Sequence, residues 1–205
     1  MLELDHPSEP SCLELVRVQR QLEAIYELEP TPDIAPFVRV DAADRREQLL
    51  VQQSDDTVDI VVLLPRASVD ALLARGEPVA LDAYLGAIEG ISHFIHLADR
   101  ARMEQPTTLL ELELQAEVDK FAILAGQADN QNALELVSLH RRLYEDVSFL
   151  HVSSTERGQR YRLANDLAAR LWSQLIRKGP RAHRGTLKRF YRANQADKIS
   201  MVRAA

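Results

Sequence analysis

The eight residues from Val58 to Pro65 (Val-Asp-Ile-Val-Val-Leu-Leu-Pro) constrain the fold of this chain more than any other segment. From Ile60 to Leu64 every side chain is apolar, so an extended backbone here is hydrophobic on both faces. Val58, Ile60, Val62 and Leu64 share one face, and Val61 and Leu63 share the other. Such a strand has to be covered on both sides, and Pro65, with no amide donor, ends it. The stretch Glu47–Gln53 precedes it across Ser54-Asp55-Asp56, a sequence with hairpin-turn composition, and Phe37–Val40 offers a third short strand. A two-stranded hairpin alone is marginal in water, so helices must pack against it.

Everything else reads as helix. Before the β region, Ser11 and Glu14 have capping-box spacing, Leu15, Val18, Leu22 and Ile25 recur on one face, and Pro30 and Pro32 terminate the segment. After Pro65, a short helix over Ser68–Arg75 meets Gly76 at the usual C′ position. A longer one runs from Asp82 to about Met103, with Tyr84, Ile88, Ile91, Ile95 and Ala98 on a stripe. A second capping box, Thr108 with Glu111, opens a helix that Gly126 closes, and Gln127–Asn132 reads as a polar loop. Leu110–Leu114 alternates like a strand, but its Leu and Glu residues are helix formers, so helix is expected. Ala133 to Leu150 places Leu136, Leu139, Leu143, Val147 and Leu150 in register. Ser153 with Glu156 opens the next helix, which carries Tyr161, Ala164, Ala168, Leu171 and Leu175 on its buried face and stops at Gly179-Pro180. A last helix starts near Thr186 and uses Leu187, Phe190, Tyr191, Ile199 and Val202. The expected fold is therefore mainly α (α+β). Residues 1–65 form a small helix and a β-hairpin or three-stranded element, residues 66–205 form a bundle of five or six helices, and the two parts make one compact unit.

Several chemistries are poorly supported. One cysteine among 205 residues, Cys12, forms neither an intramolecular disulfide nor a thiolate zinc site. Its place near a helix N-terminus lowers a thiol pKa, but no base partner is recognisable, so it reads as a small packed side chain. The seven glycines never cluster, and no phosphate-binding, nucleophile-elbow, zincin or EF-hand motif occurs. No cofactor is expected and no metal is assigned. The first residues carry neither a basic region nor an apolar core of a signal peptide, and no uncharged run approaches the ~20 residues that span a bilayer. A cytoplasmic protein is the expectation.

The most chemical-looking set is Glu89, His93 and His96, which project from neighbouring turns of one helix, together with Glu113 and Glu117 on the next. In residue type they resemble the ligands of carboxylate-rich metal bundles. The spacing differs: those use Glu-x-x-His, and here Glu89 and His93 are four apart, and Glu135 and His140 five. An ion-paired helix flank is the simpler reading, with Lys120, Arg100 or Arg102 relieving the repulsion between Glu113 and Glu117. His140, Tyr144 and His151 form a second polar group, read as a core edge with wet tips.

Charge is strongly segregated. From Arg177 onward nine Lys/Arg face one acid, a segment charge of +8, which leaves −14 on the preceding 176 residues given the chain total of −6. Arg181, Arg184, Lys188, Arg189 and Arg192 are the candidate basic interaction face. Interleaved with Phe190 and Tyr191, they have the composition of a nucleic-acid surface, although the acidic remainder repels a long duplex. The same residues could neutralise the chain's own acidic body. The leading expectation is a regulatory or protein-interaction protein without catalysis of its own, whose partner is another protein or a second copy. The alternatives are a metal-binding protein or enzyme built on the Glu/His cluster, and a nucleic-acid binder built on the basic segment.

Overall fold

The computed structural model describes residues 4–41, 46–54, 57–74, 81–127 and 133–203, with Gln127 and Arg181 described as backbone only. The fold is mainly helical with one small mixed sheet. In chain order the elements are β1 (Leu4–Asp5), α1 (Glu9–Tyr26), a 3-10 turn (Ala35–Phe37), β2 (Val38–Asp41), β3 (Gln48–Gln53), β4 (Val58–Pro65), α2 (Arg66–Leu73), α3 (Leu81–Arg102), α4 (Leu109–Gln127), α5 (Ala133–Tyr144), α6 (Glu156–Lys178), α7 (Pro180–Arg192) and α8 (Gln195–Arg203). No helix among the described residues is long and apolar enough to cross a membrane. They form two compact units: Met1–Glu23 with Leu28–Pro106, and Ala24–Glu27 with Thr107–Ala205. The sequence reading places a division at Pro65. α2 and α3 pack with β4 and belong with it to the first unit.

In the first unit the strands lie in the order β1-β2-β4-β3. The hairpin forms as expected, with β3 antiparallel to β4 and Gln48 opposite Leu63 and Val51 opposite Ile60. Its turn residues Asp55 and Asp56 lie outside the described residues. β2 joins the other side of β4 in parallel, Val38 opposite Val62, and β1 adds a fourth strand that two residues were too short to announce. Val62 and Leu64 face α3, and both are fully buried. The approach is close at Gly90, where a Cβ would lie 2.8 Å from Leu64 Cδ2 and 3.1 Å from both Val62 Cγ1 and Glu47 Cγ. The opposite face is covered only towards the end of β4: Leu63 is buried, whereas Leu50, paired with Val61, is 49% exposed. β3 is a terminal strand of the sheet.

The second unit is helical and centred on α4, which is buried nearly all round from Glu111 to Ala125. This explains the misleading alternation of Leu110–Leu114, since a helix wrapped by neighbours needs no polar face. α4 packs on α5 and α6, and Phe121 stacks on Trp172 at 4.2 Å between ring centroids. The Thr108/Glu111 capping box forms in full: Glu111 N donates to Thr108 Oγ1 at 3.1 Å and Thr108 N donates to Glu111 Oε2 at 2.8 Å.

Several expected boundaries shift. α1 starts at Glu9, with Cys12 N donating to Ser8 O, so Ser8 precedes the helix and Ser11 sits inside it. α5 ends at Tyr144, where Glu145 N and Asp146 N both close on Arg141 O. Val147 and Leu150 therefore fall in a loop, with Leu150 66% exposed. The cap of α6 is Thr155, not Ser153, its hydroxyl accepting from Gly158 N at 3.0 Å. Gly179, at φ +79°, ends α6, and Pro180 then opens α7 rather than a loop, so the last expected helix is two, α7 and α8. Arg75, Gly76 and residues 128–132 lie outside the described residues.

Two glycines in helices give opposite expectations. A Cβ on Gly158 would come within 2.0 Å of Val152 O, a backbone atom, while one on Gly185 meets nothing within 4 Å. Gly158→Ala is expected to lower unfolding stability by about 1–3 kcal/mol through that clash. Gly185→Ala, in the interior of α7, is expected to raise it by about 0.5–1 kcal/mol through helix propensity. Urea unfolding followed by circular dichroism checks both.

Candidate functional site

In the first unit the fold builds a small cluster from two elements. Glu89 and His93 are four residues apart on α3, so they project from successive turns of one face. Glu47 immediately precedes β3 and, continuing the strand register, stands opposite Leu64 on the sheet face that α3 covers. The missing Cβ of Gly90 leaves the space that the Glu47 side chain crosses. One donor atom from each of Glu47, Glu89 and His93 lies within 4.8 Å of the other two. His93 Nδ1 is 3.1 Å from Glu47 Oε1, and these side chains are only 7% and 9% exposed. Sequence reasoning supplied Glu89 and His93 but missed Glu47. Only the strand register, one residue beyond the paired segment, brings it in.

The other members of the expected set are placed elsewhere. His96 is fully buried on α3 in the first unit. Glu113 and Glu117 belong to the second unit and have basic neighbours there. Lys120 Nζ lies 2.8 Å from Glu117 Oε1, the pairing the sequence suggested, and Arg160 Nε lies 3.7 Å from Glu113 Oε1. Arg102 pairs within the first unit, with Asp99 at 2.7 Å and Glu29 at 2.5 Å. The His140–Tyr144 pair serves packing. His140 Nε2 lies 2.9 Å from both Ala169 O and Ser173 Oγ of α6, and the Tyr144 hydroxyl donates to Glu117 O at 2.8 Å.

A constellation that no motif announced lies inside the second unit. Lys198 on α8, one of the nine basic residues counted from Arg177 onward, is fully buried. Its ammonium donates to Gln115 Oε1 at 2.9 Å and lies 5.1 Å from the ring centre of Phe190 and 6.0 Å from that of Tyr191. The Gln115 amide donates to Asp119 Oδ1 at 2.8 Å, and the Tyr26 hydroxyl donates to the same oxygen. Tyr26 also stacks on Tyr191 at 4.6 Å. Burial, then the neighbouring Asp119 carboxylate, pushes the Tyr26 phenol well above its ordinary pKa. Burial does the same for Tyr144. An apolar pocket of about 280 Å³ lies between Ala122, Leu136, Trp172, His183 and Leu187.

The basic face is partly spent on the fold. Arg184 Nε lies 2.8 Å from Glu27 Oε1, and Lys188 bonds the other oxygen of the same carboxylate. Phe190 and Tyr191 are buried, so neither ring is available to stack a base. Arg189 and Arg192 are exposed, and the Arg181 side chain lies outside the described residues. A different set of cations converges instead. Arg170 and Arg177 of α6 and Arg203 of α8 line one groove of about 400 Å³ with Ser173, Gln174 and Val202. The wall is fixed by Gln174 Nε2 donating to Val202 O at 2.8 Å. All three arginines are exposed, and none has a carboxylate within ion-pair distance among the described residues.

Compared with protein-family models, curated proteins and solved structures, the chain matches none. Its function has to be argued from these side chains alone.

The buried groups make two predictions. Lys198→Met removes the cation from a network built around it and is expected to cost about 3–5 kcal/mol, read by denaturant unfolding. The raised phenols of Tyr26 and Tyr144 keep their protons in the folded chain while the unfolded chain loses them above a pH of about 10. Above that value the folded state binds more protons, so stability falls as pH rises, by up to about 1.4 kcal/mol per pH unit for each tyrosine. Tyr144→Phe is expected to reduce that slope in urea midpoints taken between pH 10 and 11.5, and an unchanged slope contradicts it.

Proposed function

We propose that this chain is a regulatory binding protein of the cytoplasm, without catalysis of its own, whose second unit engages an acidic segment of a partner protein. The observation that carries this reading is the groove lined by Arg170, Arg177 and Arg203. Guanidinium groups present planar, paired donors that match carboxylates, and three of them around one depression favour an extended anionic ligand. Arg184 and Lys188 are matched by Glu27 of the same unit, whereas the groove gathers three guanidinium groups around one depression with no such carboxylate among the described residues. The single, half-buried Cys12 suits a reducing compartment.

A peptide fits better than a nucleic acid. The rings that would stack bases, Phe190 and Tyr191, are inside the fold, so a single strand would be held by its phosphates alone. Fluorescence anisotropy with a labelled oligoglutamate peptide and a single-stranded oligonucleotide of equal length tests this. The peptide is expected to bind more tightly than the oligonucleotide and to weaken as salt rises from about 0.05 to 0.3 M. Arg170→Gln, Arg177→Gln and Arg203→Gln combined are expected to weaken it at least about tenfold while leaving the melting temperature unchanged, since all three side chains are exposed. Absent peptide binding at low salt, or binding the triple variant retains, overturns the reading. Preference for the oligonucleotide replaces it with nucleic-acid recognition.

A further inference from the structure

We infer that Glu47, Glu89 and His93 of the first unit form a binding site for a divalent first-row transition metal, with Zn²⁺ as the best match. The inference is separate from the acidic-segment reading, which rests on residues of the second unit.

Three observations support it together. The first is donor convergence. An ion held at about 2.1 Å from nitrogen and oxygen ligands places neighbouring donors about 3.0 Å apart at octahedral angles and about 3.4 Å apart at tetrahedral ones. His93 Nδ1 and Glu47 Oε1, hydrogen-bonded to each other here, are 3.1 Å apart, a spacing that an ion taking the place of the shared proton would keep, and the third donor, from Glu89, lies within 4.8 Å of both. With the Glu89 donor drawn in from that distance, the three atoms complete one face of a coordination polyhedron.

The second observation is the way the chain makes room. Glu47 reaches α3 only because position 90, between the two helical ligands, carries no side chain. A Cβ there would stand 3.1 Å from Glu47 Cγ and 2.8 Å from Leu64 Cδ2. Any larger residue would push Glu47 away from Glu89 and His93. Fully buried Val62 and Leu64 floor the site and limit its contact with water, which strengthens charge interactions there.

The third is the chemistry of the donor set. A neutral imidazole and two carboxylates contribute two negative charges, which a divalent cation balances. Imidazole favours zinc and its neighbours over calcium and magnesium, which prefer all-oxygen shells. Three protein ligands on adjoining positions leave a coordination position open for water or a further ligand.

Equilibrium dialysis of the intact, tag-free chain against ZnCl₂, MnCl₂ and MgCl₂ tests the inference. One equivalent of Zn²⁺ per chain is expected, with Mn²⁺ weaker and Mg²⁺ not retained, together with a rise in melting temperature on adding Zn²⁺ that a chelator reverses. Glu47→Gln and Glu89→Gln are each expected to weaken Zn²⁺ binding at least about tenfold. Glu89 is half-buried, so its variant keeps the fold, as circular dichroism will show, even if a change at the more enclosed His93 does not. Co²⁺ soaked into the wild-type chain is expected to give visible ligand-field absorption that Glu89→Gln loses. Binding of less than one equivalent, or Zn²⁺ held equally by both glutamine variants, overturns the inference. Either result leaves the arginine groove untouched, because its variants are scored by peptide binding.

Discussion

A lysine ammonium withdrawn from water governs the second unit. Lys198 has three donors and no acceptor, so once buried it must be met by fixed oxygens and ring faces in one particular arrangement. Gln115 supplies an oxygen and passes the polarity on through its amide to Asp119, whose carboxylate holds the Tyr26 hydroxyl. Phe190 and Tyr191 close over the ammonium with their π faces. The network ties α8, the centre of α4 and the last turn of α1 to one another by directional bonds. Such bonds discriminate against slipped packings more sharply than apolar contacts do. The remaining helices pack around that axis, with Phe121, Trp172 and Tyr144 filling the side of α4 that faces α5 and α6.

The distribution of charge follows from this economy. Of the basic residues near the C-terminus, Lys198 is consumed in the interior and Arg184 and Lys188 are consumed on Glu27, whose carboxyl lies below the usual carboxylate range because Lys188 donates to it and Arg184 stands beside it. Self-neutralisation thus accounts for part of the positive segment. The cations of the groove come from α6 as well as from the C-terminal helix, and only the folded arrangement of α6 and α8 makes Arg170, Arg177 and Arg203 neighbours. In the first unit the same logic runs with opposite sign, since carboxylates from a strand and a helix meet at one histidine.

What the sequence made legible was whatever local physics decides. The hairpin around β4, the Thr108/Glu111 box, the Gly179-Pro180 stop and the buried stripe of α6 all depend on neighbours in the chain, and they stand where periodicity and capping put them. The errors arose where two local solutions compete. Ser153 and Thr155 both offer a cap to α6, and the tight approach of Gly158 to Val152 selects Thr155. Leu150 continues the helical register of α5 but lies beyond the turn in which Asp146 closes on Arg141. The functional residues were harder to read because they depend on tertiary register. Glu47 is a strand neighbour of Leu64, and nothing within ten residues of it in sequence points towards His93. Lys198 was hidden for the converse reason: a lysine in a basic run is ordinarily solvated, and only the acceptors on α4 explain its burial.

β3 has a consequence for how the molecule behaves among its own kind. It ends the sheet, and its six residues, Gln-Leu-Leu-Val-Gln-Gln, contain no charge and no proline, with Leu50 and Val51 about half exposed. In the sequence, Arg46 and Glu47 precede it and Asp55 and Asp56 follow it, so charge flanks the strand but does not interrupt it. Uncharged glutamine- and leucine-rich edges of this length are templates for cross-β stacking, in which amide side chains ladder from one chain to the next. If β3 loosened from β4, the segment Gln48–Gln53 is where pairing between copies of the chain would begin, so the hydrogen bonds of β4 to that strand also serve to keep copies apart.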